Sequence, residues 1–199
     1  MHPAFLYQRI SMKAGNPVPR RWFQGDTLFI ARKLIGMTLC RRLENGSISR
    51  LLINETEAYD GPEDLACHAH TNRRTKRTSV MFERGGVSYI YLCYGIHWLM
   101  NIVTGPSEYP AAVLIRGAGP YDGPGKLTKA LKLDGNHNHK SLTRSNDIWI
   151  EEPAESQVRN SEIQATPRIG IDYAGPYWSQ VEYRFVAKRS PKNDGNCLK

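Results

Sequence analysis

No apolar run in this chain reaches the ~18–20 residues that a membrane-spanning helix needs, so a bilayer is not an expected partner. The opening residues, MHPAFLYQRISMKAGNPVPRR, hold neither the apolar core nor the small-residue cleavage site of a secretory signal. An intracellular protein is expected. Cysteine is scarce: 4 in 199 residues, at Cys40, Cys67, Cys93 and Cys197, with no CxxC pair. That spacing excludes a disulfide framework and leaves reduced, mostly buried thiols. Internal repeats, low-complexity tracts and βαβ alternation are also missing, which sets aside solenoids and doubly wound parallel sheets. Acidic residues are outnumbered, 19 to 27, for a net charge of +8 and a pI near 9.4. The excess favours an acidic partner, of which a nucleic-acid backbone is the usual one. Taken alone, the charge fits a merely basic soluble protein equally well.

What is present fits one α+β domain, and the length is enough for a real core. Residues 1–21 read as a flexible basic arm, 22–189 as the domain and 190–199 as a frayed tail. Asp26 is a helix cap, followed by apolar Leu28, Ala31, Leu34 and Ile35 and stopped by Gly36. Residues 37–58 read as strand, Asn-Gly turn and strand. Residues 60–80 are turn-rich, with room for a short helix near 62–69. Residues 87–103 give two strands meeting at Gly95. A buried strand is expected over 111–116, a helix over 126–133 and a strand over 148–150. Residues 152–166 look like loop, while RIGIDY (168–173) and VEYRFVAK (181–188) look like strands. The sum is a curved, largely antiparallel sheet with short flanking helices and a protruding hairpin.

The stretch NETEAYDGPEDLACHAH, residues 54–70, carries the most chemistry. On a strand Ile53, Glu55, Glu57 and Tyr59 share one face, with the two carboxylates roughly 7 Å apart. That is about the spacing of an inverting glycosidase pair, although such pairs usually come from different elements. Acidic residues are poor strand formers, so at least one has a task beyond solvation. Cys67, His68 and His70 suggest zinc, but a structural site needs four ligands, usually as two spaced pairs. The only other candidates, His137 and His139, lie in a polar loop; a zinc-dependent hydrolase is the weakest reading. GPGK at 123–126 does not match GxxxxGK[ST] and more simply starts a helix. Tyr89, Tyr91, Tyr94, His97 and Trp98 crowd ten residues of the hairpin. Part of that cluster must be core. Tyr94 and Ile96, however, fall at the turn, where large apolar groups waste burial unless they insert into something, as wedges do between bases.

In order, ETEAY, GPED with a following His, MF, YIYLCYGIHWLMN, AAVLIR and GPGKL resemble the alkyladenine (3-methyladenine) DNA glycosylase family. The likeness runs from about Trp22 to Arg189, loosely over 72–78 and 134–166. It implies a monofunctional base-excision repair enzyme acting on duplex DNA that contains damaged purines, as a monomer, without metal or other cofactor. By motif position it implies Glu57 as general base, with Glu55 in support, and Arg116 as holder of the attacking water. It implies Tyr59, His68 and Tyr91 as pocket walls. Asn101 becomes the floor that clashes with the amino group of guanine, and Tyr94 the wedge that replaces the flipped nucleotide. A purine alkylated at N3 or N7 is cationic, so tyrosine faces attract it, and it leaves readily once water is activated. The alternative is a non-catalytic nucleic-acid binding protein on the same scaffold.

Overall fold

The computed structural model describes residues 15–153, 158 and 160–188. Nine strands form one sheet in which every pairing is antiparallel. In chain order they are β1 (Thr38–Arg42), β2 (Ile48–Asp60), β3 (Ser88–Cys93), β4 (His97–Val103), β5 (Ala111–Ala118), β6 (Tyr121–Asp122), β7 (Ile148–Glu151), β8 (Ile163–Thr166) and β9 (Arg184–Ala187). The helices are α1 (Thr27–Leu34), α2 (Pro124–Ala130) and α3 (Gly175–Trp178), with several 3-10 turns between. The architecture is a single α+β domain around a curled sheet, as the sequence implies.

β2 organises the sheet. Its first half pairs with β1 through a turn at 43–47, and its second half lies between β5 and β9. The spatial order is β3-β4-β5-β2-β1-β7, with β6 on β5 and the β8–β9 pair on β2. The pairing with β5 slips around Asn54, and this bulge breaks the strict alternation expected of residues 53–59. Ile53 lies in the main core beside Ala58, and the face shared with Glu57 begins at Glu55.

Two apolar layers follow from the pleat. On one face Ile90, Met100, Ile102, Val113 and Ile115 pack against α1 and α2. α1 docks through Ile30, Ala31 and Leu34, and Thr56 donates its hydroxyl to the Ala31 carbonyl at 2.8 Å. Asp26 caps this helix by accepting from the Phe29 N–H. The other face carries Tyr89, Val103 and Ala112 and is covered by Val80, Met81 and Phe82 from the turn-rich segment.

Several expectations need correcting. No helix forms at 62–69; turns precede 3-10 segments at His70–Asn72 and Ser79–Phe82. α2 starts at Pro124 and ends at Ala130, ahead of the expected span, because Pro fits the first helical turn. The loop expected over 152–166 contains β8. RIGIDY forms no strand; it is a bend followed by a 3-10 turn at Asp172–Ala174. Of the arm, residues 1–14 lie outside the described residues, as does the tail from Ser190. Residues 15–21 lie along the sheet, where Val18 is buried and its N–H bonds the Ile150 carbonyl.

Candidate active site

Glu57 is fully buried on the inner face of β2. One carboxylate oxygen accepts the Tyr59 hydroxyl at 2.9 Å, and the other accepts the backbone N–H of Ile169 at 2.9 Å. A terminal nitrogen of Arg116, from β5, lies 3.5 Å from that second oxygen. The Arg116 Nε donates to Glu55 at 2.9 Å, and Glu55 also accepts from Arg184 of β9 at 2.6 Å. Arg116 therefore ties the two carboxylates together, while Glu55 carries a second guanidinium of its own. Burial pushes the Glu57 carboxyl above the ordinary range near 4.5, and Glu55 adds to this; Arg116, the Ile169 N–H and the Tyr59 hydroxyl hold it back. The result is a carboxylate more basic than a surface one, which suits it to take a proton. Burial and the Glu57 charge raise the Tyr59 phenol well above its usual value, so it remains a donor.

A cleft of about 750 Å³ opens in front of Glu57. Tyr59, His68, Tyr89, Tyr91, Asn101 and Arg116 all line it. Tyr89 and Tyr91 tilt against each other with centroids 5.3 Å apart, and the His68 ring meets the Tyr91 ring edge-on at 4.7 Å. His68 Nδ1 lies 2.9 Å from the Tyr89 hydroxyl. Burial, helped by Arg77, lowers the His68 imidazole to about 4, so it is neutral at neutral pH. Asn101 is buried and donates to the Tyr89 carbonyl at 3.1 Å.

The Cys-His-x-His stretch is otherwise engaged. The Cys67 thiol faces the Pro110 carbonyl, His70 bonds the Cys67 carbonyl, and burial raises the Cys67 thiol to about 12. His137 is held by Asp134 and Arg41. Among the described residues no group of three or more His, Cys, Asp or Glu could hold a metal ion.

A family model for methylpurine-DNA glycosylase (MPG) matches residues 21–123 and 121–191. A protein of Psychrobacter cryohalolentis is 39% identical over 193 residues, covering 83% of this chain and 89% of its own. One of Chlamydia felis is 41% identical over 199 residues, covering 88% and 99%. One of Legionella pneumophila (strain Corby) is 40% identical over 183 residues, covering 87% and 96%. All three carry the provisional name 3-methyladenine DNA glycosylase. The chain belongs to the methylpurine-DNA glycosylase family.

For a DNA glycosylase of this family the hairpin tip is the second element of interest. Tyr94 is 91% exposed and Ile96 72% exposed, with Leu92 partly exposed behind them. Tyr94 and Gly95 take left-handed φ of 50° and 70°, and the Ile96 N–H closes the turn on the Cys93 carbonyl. Gly adopts that conformation freely; a bulky tyrosine there is strained. A strained, exposed aromatic ring next to a cleft is a functional feature more often than a packing one. No helix of the described residues is long and apolar enough to cross a membrane.

Three residues of the glycosylase site were not picked out by the sequence reading. Arg77, from the loosely matching loop, stands over the Tyr91 ring at 4.6 Å, with a terminal nitrogen 2.8 Å from His68 Nε2. Ile169 holds Glu57 through its backbone N–H, a group that carries no side-chain signal. Arg168 is buried just behind Tyr59, its guanidinium 4.8 Å from the ring centroid; in the sequence it is only the basic residue that opens RIGIDY.

Proposed function

We propose that this glycosylase binds duplex DNA, turns a damaged purine out of the stack into the cleft and hydrolyses its N-glycosidic bond. The damaged base stacks among Tyr59, Tyr91 and His68. Base–aromatic stacking is worth ~1–3 kcal/mol per base, against a flipping cost of a few kcal/mol that is least for damaged or mispaired bases. Water, held between Glu57 and Arg116, attacks the sugar C1′. The bond to the purine breaks and the base leaves with its electrons. Glu57 takes the proton from the water, and its negative charge stabilises the developing oxocarbenium ion. Asn101 on the floor disfavours the 2-amino group of guanine, and Tyr94 fills the gap left in the stack. The protein acts as an intracellular monomer, and the product is an abasic site.

The observation that carries this reading is the Glu57 carboxylate: fully buried, yet fixed by three donors at the back of an aromatic cleft. Among the described residues no lysine lines that cleft, which supports simple hydrolysis over a Schiff-base route. Glu57→Gln keeps the shape but takes no proton. It should slow release of a neutral base such as hypoxanthine by roughly 10²–10⁴-fold while lesion-duplex binding survives. Excision at the wild-type rate would remove Glu57 from the role. A wild-type protein that binds lesion duplexes and releases no base would be the non-catalytic alternative. Borohydride added during turnover should trap no protein–DNA adduct.

A further inference from the structure

Arg168 is a costly residue where it stands. Its side chain and that of Asp64 are both fully buried, joined by a two-pronged ion pair at 2.5 and 2.9 Å. Among the described residues the Arg168 Nε has no hydrogen-bond partner. Buried ion pairs often add little to stability over apolar residues of similar size, and an orphaned buried donor adds a further cost. Stability therefore does not explain the pair; its surroundings do. The same guanidinium donates to the Ala58 carbonyl at 2.8 Å and lies against the Tyr59 ring, so it grips β2 at the two residues that directly follow Glu57. Its own backbone leads directly into the Ile169 N–H that Glu57 accepts. Asp64 in turn accepts the backbone N–H groups of Asp60 and Ala66, which anchors the segment leading to His68.

We infer that Asp64 and Arg168 are a positioning pair for the catalytic carboxylate: they hold the Tyr59 hydroxyl and the Ile169 N–H on the two oxygens of Glu57 and so keep it an ionised base inside an apolar pocket. The inference rests on Glu57 being that base. Neither residue touches the substrate. Two of the donors that oppose the burial of Glu57 hang on this one bridge, one through the stacked ring and one through the peptide chain. The charged or titratable groups facing Glu57 are Glu55 and Tyr59 from β2, Arg116 from β5 and Arg168 itself. With the bridge gone, Arg116 is left to hold the carboxylate ionised without those two donors, and hydrogen bonds to the charged form are what favour it.

The test is the pH dependence of single-turnover excision of hypoxanthine from a duplex. The variants are Asp64→Asn/Arg168→Met and Arg168→Lys. The double variant leaves no unpaired buried charge and keeps an acceptor at position 64, so it should fold. Arg168→Lys keeps the charge but loses the planar fork and its stacking. Both should be roughly ten- to hundredfold slower at neutral pH, with the acid limb of the profile moved to higher pH and part of the rate recovered in alkali. A purely structural pair would lower the rate equally at every pH and leave the limb in place. That result in either variant overturns the inference, and Arg168→Lys carries the test if the double variant does not fold. Glu57→Gln is run alongside. If it excises normally, the assignment of the base has failed; if it is inactive and the limb of the other variants has not moved, only the positioning role has failed.

Discussion

Tyr89 and Tyr94 sit on the same hairpin, yet their surroundings differ in every respect. Tyr89, near the base, is 2% exposed, tilted against Tyr91 and bonded through its hydroxyl to His68 and Arg77. Tyr94, at the tip, is almost wholly in solvent on a left-handed backbone. The first is held by the fold before any ligand arrives; the second is 91% exposed and no hydrogen bond or ring contact holds it among the described residues. On the proposed function, the difference separates two tasks that the sequence presents as one aromatic cluster: a rigid seat for a base, and a ring available to enter a base stack. Pre-organisation belongs to the seat, where a loose wall lowers affinity. On the same proposal exposure belongs to the ring, which would leave water only when DNA opens.

Four measurements test whether the two tyrosines differ as described. The largest effect is expected from Tyr89→Ala, which should cost ~3–5 kcal/mol of stability in a denaturant or thermal melt. Tyr94→Ala should stay within about 0.5 kcal/mol of wild type in the same melt. Similar losses in the two variants would erase the distinction. Next, Tyr94→Ala should slow excision from duplex DNA about tenfold, on the scale of one lost stacking contact, and leave single-stranded DNA nearly untouched, since no stack there must be held open. Equal losses on both substrates would return Tyr94 to the seat. Asn101→Ser should raise release of guanine-derived lesions relative to adenine-derived ones by up to about tenfold, read by competition between the two in one tube; an unchanged ratio takes Asn101 off the floor. The smallest effect concerns pH. Activity should fall on acidification through a limb above the ordinary glutamate range near 4.5, because protonating Glu57, whose pKa burial raises, removes the base. His68 titrates lower, at about 4. His68→Gln should weaken base binding a few-fold yet leave the limb where it is, and a limb that moved with that substitution would put the titration on the wrong residue.

Much of this was legible in the sequence, for reasons that differ by residue. Asp26 before an apolar helical run, Asn45-Gly46 between two strand-like segments and Gly95 between two more are local signals, and each element formed where expected. Glu57, Tyr59, His68, Tyr91, Asn101 and Arg116 do line one cleft, although reading them from the sequence took the likeness of ordered motifs to a known family. RIGIDY reads as a strand because its alternating apolar residues resemble one, yet it forms a bend and a 3-10 turn. Here Arg168 turns inward to Asp64, which is 104 residues away in the chain, while Ile169 and Tyr173 remain exposed. A salt bridge over that separation has no local signature. Nor does the bulge near Asn54, which moved Ile53 to the opposite layer from Glu55. Arg77 lies in the loop over 72–78 where the likeness to the family is loose, so no motif position points to it.

The central place of β2 also sets an order of events during synthesis. β1, β5 and the whole β3–β4 hairpin precede residue 119 in the chain, so most of the sheet around Glu57 can pair early. Arg168, Ile169 and Arg184 come far later, and β9 is the last strand to pair with β2. Contacts this distant in sequence form last. A nascent chain at the intermediate stage already carries the exposed ring, the aromatic seat and the carboxylate, but lacks the late donors to Glu55 and Glu57. On the proposed function, such a chain would present the rings meant for DNA before Ile169 and Arg184 arrive to hold the two carboxylates.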